Sequence, residues 1–301
     1  APYRAVNIFV RGALSEAWGI MALPLILYGI IRICKGKRNG YIFLYFSLLI
    51  LLLSHNLTTL LFLPMSVIFG ASYLLIQQYS HERRSLQSII YIVLKLAATY
   101  MTALTTASFY LLPAFLEKQF TRVESAILGG YFDYRLHFLY IRQFFQENWQ
   151  YGGSSWGPHD DISFYLGFAQ LTALFILFFV FVFKQKKLRS FSDFLHTPSN
   201  IMILTSGALL AISLLLSTPK SQFIWENLEL LAFVQFPWRW LSVAIIFLGL
   251  CNAALVTLLP NKQLMWIFTG VFILATSIPA ATRYFQPKEY LDTTEGVYYE
   301  D

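Results

Sequence analysis

Arg11 and Glu16 stand five residues apart in Val10-Arg-Gly-Ala-Leu-Ser-Glu16, where a long apolar segment begins. A guanidinium there could grip an anion such as phosphate with parallel hydrogen bonds, and the carboxylate could orient it. The spacing is not an ideal helical pair, although Gly12 lets the chain turn. The plainer reading is an interfacial arginine anchor beside a first-turn acid favoured by the helix dipole. Against it, an acid at a membrane boundary is costly without a partner.

Three further groups carry possible chemistry. His55 and Asn56 lie between two apolar stretches, where a histidine could bind phosphate or move a proton and an asparagine could cap a helix. Arg239 sits in Phe236-Pro-Trp-Arg-Trp240, which also fits an aromatic belt with a basic anchor opening a helix at Pro237. His159-Asp160-Asp161 has the residue types of an acid–base or metal site. A metal needs three or more ligands in one place, however, and Asp161 could simply cap the next helix. The sequence specifies no cofactor; a divalent metal is the one such an acidic group would take. Asn56-Leu57-Thr58 matches a glycosylation sequon by chance, in a turn at the membrane edge.

The elements that must position these residues are apolar. Hydrophobic residues make up 57% of the 301 and charged residues 13%, the composition of a helical membrane protein. The apolar blocks are 13–33, 41–76, 88–112, 162–183, 201–216, 237–259 and 264–281. The second is too long for one span and carries Ser54-His55-Asn56 in its middle, so it reads as helices 41–53 and 57–76. An all-α polytopic membrane protein of about eight transmembrane helices follows. With the amino end outside, the inside loops 32–40, 77–88, 184–200 and 260–263 hold 11 of the 22 Lys and Arg residues, and only Glu82 and Asp193 of the 16 acids. The outside segments are more than twice as long and hold ten of the basic residues. That asymmetry places residues 113–161, the amino end and the tail 282–301 on the extracytoplasmic side. Arg11, Glu16, His55 and Arg239 then share one depth, and this topology predicts that they converge on an anion-binding pocket for a lipid phosphate rather than standing as independent interfacial anchors.

The net charge of +6 belongs to anchors facing anionic lipid. No basic stretch is interleaved with stacking aromatics, so nucleic acid is not a partner; membrane lipid is. The 49-residue segment 113–161 is too long to be structureless. Phe132, Leu136, Leu139, Tyr140 and Phe144 recur at helical spacing and predict an amphipathic surface helix over Tyr131–Trp149. Thr99, Thr102 and Thr106 share one helix face and suit close packing. Cys34 and Cys251 are too far apart along the membrane for a disulfide. The chain opens at Ala1 on a polar stretch placed outside, without a signal segment, which suggests that further helices precede it. Walker, G-x-G-x-x-G, G-x-S-x-G and paired-histidine zinc motifs do not occur.

Four ordered strings, Val10-Arg-Gly-Ala-Leu-Ser-Glu16, Leu53-Ser-His-Asn-Leu57, WQYGGSSWGPHDDISFYLG over 149–167 and Phe236-Pro-Trp-Arg-Trp240, resemble bacterial membrane proteins carrying the 6-pyruvoyl-tetrahydropterin synthase-related membrane domain. The soluble pterin synthase's zinc histidines have no counterpart here. The family is similar in architecture to GT-C glycosyltransferases, which move sugars from polyprenyl-phosphate carriers on the outer face. The resemblance implies a membrane glycosyltransferase or close relative in cell-envelope biogenesis, with a polyprenyl-phosphate-linked sugar as partner. It implies a catalytic acid in a first outside loop upstream of this chain, so no catalytic residue is assigned. Arg11, Glu16, His55, Asn56 and Arg239 are the expected substrate-binding residues. A lipid-linked substrate transporter or flippase would instead want charged groups at the midplane and broken helices, and only Lys95 lies well inside. A non-catalytic scaffold is the third reading.

Overall fold

The computed structural model describes residues 2–79, 85–122, 129–185 and 198–283. Among these the regular structure is helical, with no strand. Eight helices have fifteen residues or more: α1 (Leu14–Cys34), α2 (Gly40–Ser54), α3 (Asn56–Tyr79), α4 (Leu86–Leu116), α5 (Phe168–Gln185), α6 (Pro198–Leu216), α7 (Leu241–Val256) and α8 (Lys262–Arg283). Each falls in one of the apolar blocks, and the second block supplies both α2 and α3. The surface is that of a protein solvated by lipid: Trp266 is 76% exposed, Phe109 71% and Phe175 68%.

Eight helices are not eight full spans. Leu14–Cys34, Asn56–Gln78, Leu86–Phe120 and Pro237–Ala254 are long and apolar enough to cross a membrane. Met202–Leu216 and Pro219–Asn227 make a fifth only if they count as one span bent by 92°. Gly40–Ser54, Phe168–Phe183 and Lys262–Ile278 are apolar but shorter. Fifteen residues rise about 22 Å, against a hydrocarbon core of about 30 Å. Among the described residues, length and composition give four or five spans against the eight expected, with three shorter apolar helices beside them.

Helices α1–α4 pack together, led by the α1–α2 pair, and α5–α8 pack around α7. Contacts of α3 with α6 and of α7 with α1 and α3 join the two groups. Small residues set the tightest approach, as is usual where helices meet in lipid. A Cβ on Gly29 of α1 would come within 2.7 Å of the Leu44 backbone in α2. Ala103 and Ala107 of α4 are wholly buried, on the helix that packs against α2. Thr99, Thr102 and Thr106 return their hydroxyls to carbonyls one turn back, and Thr106 also meets the Tyr45 hydroxyl at 3.1 Å. Thr99 is buried, whereas Thr102 and Thr106 are exposed, so only Thr99 lies within the helix packing. Cys34 and Cys251 form no disulfide, and both are buried.

Three expectations are corrected. The amino-terminal stretch is not simply polar and open. Pro2–Ala5 is α-helical, Val6–Val10 forms a π-turn, and Tyr3, Val6 and Asn7 are fully buried. Tyr131–Trp149 is not an amphipathic helix. It forms three short 3-10 turns, Gly130–Phe132, Tyr134–Leu136 and Ile141–Phe144. Its apolar residues answer to the bundle instead: Leu139 and Phe144 are buried, while Phe132, Leu136 and Tyr140 are exposed. The Leu139 N–H donates to the Ser217 carbonyl and the Leu166 N–H to the Phe144 carbonyl, bonds that an α-helix would have kept to itself. Asp161 does not cap α5. Residues 162–167 run without helix as a buried strip before Phe168. The tail 284–301 and the basic residues Arg83, Arg84, Lys186, Lys187 and Arg189 lie outside the described residues.

Candidate functional site

The π-turn at Val6–Val10 and the left-handed Gly12 (φ 62°) bring the first eleven residues back across the start of α1. Glu16 lies in the first turn of α1 and is 1% exposed. A buried carboxylate needs partners, and four side chains surround it. Oε1 accepts from the Tyr3 hydroxyl at 3.2 Å and from the Asn7 amide at 3.1 Å. Oε2 lies 2.8 Å from Arg11 Nη1 and 3.8 Å from Arg239 Nε. Arg11 also donates to the Asn7 side-chain carbonyl. Burial, with the Glu16 charge beside it, pushes the Tyr3 phenol well above its ordinary pKa, so it stays a donor.

Arg239 arrives from the 3-10 turn Pro237–Trp240 that opens into α7. Its Nη1 donates to the Val234 carbonyl at 2.7 Å and to Gln235 Oε1 at 3.2 Å. Its buried Nε has no hydrogen-bond partner among the described residues. Gln235 holds φ at 64°, a left-handed conformation costly for a residue with a Cβ. The strain presents the Gln235 side chain to Arg239. Trp238 lies beneath both cations: the Arg11 guanidinium carbon is 4.5 Å from its ring and that of Arg239 is 6.0 Å away. Trp238 and Trp240 are each 3% exposed, so this pair is core rather than the expected interfacial belt.

The cluster thus brings Arg11, Glu16 and Arg239 into one contact group, two guanidiniums against one carboxylate. His55 belongs to the same neighbourhood, because a Cβ on Gly19, one turn below Glu16, would lie 3.3 Å from Ser54 Oγ and 3.5 Å from Thr58. Its ring has a local structural task. His55 Nδ1 accepts from the Thr58 backbone N–H at 3.1 Å and meets the Thr58 hydroxyl at 2.7 Å, so the histidine itself caps α3. Burial pushes its pKa down, against the pull of Glu16, and the ring is neutral. It adds no cation to the group. Asn56, the first residue of α3, is exposed and is not the cap.

The segment after α4 closes over the same end. His137 is buried, with its Nδ1 2.7 Å from Ser154 Oγ and its Nε2 against the Tyr131 carbonyl. Trp238 donates to Ser154 at 3.1 Å. Because Nε2 faces a carbonyl it carries the proton, and the Ser154 hydroxyl donates to Nδ1. One chain of hydrogen bonds therefore links Tyr131, His137 and Ser154 to the indole under the two arginines.

His159, Asp160 and Asp161 stand apart, beside a polar cavity of about 210 Å³. Asp160 Oδ1 accepts from the Ser155 N–H at 2.6 Å and Oδ2 from the Gln143 amide at 2.5 Å. Arg142 Nη2 lies 3.1 Å from His159 Nε2. No group of three or more His, Cys, Asp or Glu suited to a metal occurs among the described residues. A guanidinium on His159 and two donors on Asp160 do not fit a divalent ion, so the metal or acid–base expectation is not supported there.

Tyr3, Asn7, Gln235 and Trp238 were not expected in the site. Asn7 and Arg11 are four apart, a helical pairing that could have been read; the π-turn that delivers Tyr3 and the strain at Gln235 leave no mark in composition. Compared with protein-family models, curated proteins and solved structures, the chain matches none.

Proposed function

We propose that the chain is the membrane region of a GT-C-like glycosyltransferase, or a close relative, that takes a polyprenyl-phosphate-linked sugar at the extracytoplasmic face in cell-envelope biogenesis. The observation that carries the reading is the charge excess. Arg11 and Arg239 share the single Glu16 carboxylate, and a buried Arg239 Nε–H is left without a hydrogen bond. A phosphate supplies the missing charge and acceptors, and a guanidinium holds it with two donors. Such a group would favour a departing lipid phosphate as its charge develops. The four strings described above and the dense basic residues of the opposite loops agree with this placement.

A lipid-linked substrate transporter or flippase is the second reading. The 92° bend between Met202–Leu216 and Pro219–Asn227 favours it, since broken helices are common at transport sites. Binding and translocation separate the two. Native mass spectrometry of the purified chain should show polyprenyl phosphate binding at least about tenfold more tightly than the matching polyprenol, as a charged hydrogen bond worth about 1.5–3 kcal/mol requires. Arg239→Lys keeps the charge, loses the fork, and should remove most of that preference. Equal binding of alcohol and phosphate overturns the phosphate site. Movement of labelled polyprenyl phosphate across vesicles by the reconstituted chain would select the transporter.

A further inference from the structure

The cavity beside His159 is built for a different ligand. Gln143, Gln146, Asn148 and Gln150 line it with Asp160 and Asp161, over a floor that includes Ile162 and Phe164. Small-molecule sites are usually apolar with a few polar groups; this one reverses the proportion. Amides offer paired donors and acceptors and carboxylates offer acceptors, which together match vicinal hydroxyls. The two acids disfavour an anion, and Arg142, at 3.1 Å from His159, disfavours a metal ion. At about 210 Å³ the cavity has room for one small-molecule unit.

Part of the wall is held by its own hydrogen bonds. Gln143 is 6% exposed, and its side-chain carbonyl accepts from the Tyr140 N–H at 2.7 Å while its amide donates to Asp160. Asn148 donates to the Asp160 carbonyl at 3.4 Å. Burial raises the Asp160 carboxyl above its ordinary value, and the Ser155 and Gln143 donors hold it in place. The same segment carries Ser154 and His137, which lead to Trp238 under Arg11. The cavity therefore belongs to the covering segment of the arginine site and not to the lipid-facing wall.

We infer that this cavity binds a single neutral sugar unit, recognised through its hydroxyls by Gln146, Asn148 and Asp161. The inference deepens the glycosyltransferase reading by naming a sugar subsite, and it rests on that reading only for the sugar's role, not for its binding. The test uses the purified full chain in detergent with methyl hexosides and methyl N-acetylhexosaminides as probes, followed by saturation-transfer NMR. At least one glycoside should bind in the millimolar range. Gln146→Ala and Asn148→Ala, at exposed and half-buried positions, should each weaken it at least about fivefold while leaving the helical circular dichroism unchanged. Asp161→Asn tests the acceptor separately. Binding that survives all three variants, or no binding by any glycoside, overturns the inference. So does a response to manganese or calcium alone that Asp161→Asn abolishes. Arg239→Lys should leave glycoside binding intact, so a failed phosphate site and a failed sugar site give different results.

Discussion

Replacing Glu16 by glutamine tests whether the buried ion group is one energetic unit. The substitution keeps the shape and removes one charge. At an effective dielectric of about 20, the attraction of Glu16 to Arg11 at 2.8 Å is about 6 kcal/mol and to Arg239 at 3.8 Å about 4 kcal/mol. Repulsion between the two guanidiniums and desolvation of all three groups oppose these gross figures. Removing one partner from a buried pair costs about 3–5 kcal/mol, chiefly because charge is left uncompensated. The amide also turns an N–H₂ toward either the Tyr3 and Asn7 donors or the two arginines, so one pair loses its acceptor. Unfolding of Glu16→Gln in mixed micelles, followed by circular dichroism, should therefore show a loss of about 3–5 kcal/mol. Added polyprenyl phosphate should stabilise the variant more than the parent, because it replaces the lost negative charge. A loss below about 1 kcal/mol, the range of an exposed pair, would show that the arginines and the carboxylate do not act together.

Two other outcomes follow from the packing and the covering segment. Gly29→Ala puts a Cβ within 2.7 Å of the Leu44 backbone and should destabilise by at least about 1–3 kcal/mol, whereas Gly207→Ala, with nothing within 4 Å, should not; equal unfolding midpoints would contradict the α1–α2 approach. Burial lowers the His137 pKa, so the folded state disfavours its proton. The stability this contributes is complete above the unfolded value of about 6.5 and is lost as pH falls from there through the lowered folded value. Wild type should weaken over that window and His137→Gln should weaken less there, as unfolding curves taken at several pH values would show.

Composition and period determined where the helices are, because a chain in lipid must satisfy its backbone within each segment. All seven apolar blocks, the turn at Ser54–Asn56 that divides the second, and the α-helical class were legible from hydropathy alone. The shared depth of Arg11, Glu16 and Arg239 was legible too, since topology limits a residue at a helix end to one of two surfaces. Direct contact among them was not, and neither was the fate of the neighbouring residues. His55 became a cap because its ring nitrogen was the acceptor nearest the Thr58 N–H. Tyr3 and Asn7 reached Glu16 through a π-turn, and Trp238 left the interface for the core. Tyr131–Trp149 carried a helical period and still formed short turns, because its backbone groups found partners on Ser217 and Leu166 and its aromatics found Trp225 and Phe236. Local periodicity decides a segment's structure while its neighbours are lipid or water. Where another segment offers hydrogen bonds and buried surface, tertiary contacts decide it instead.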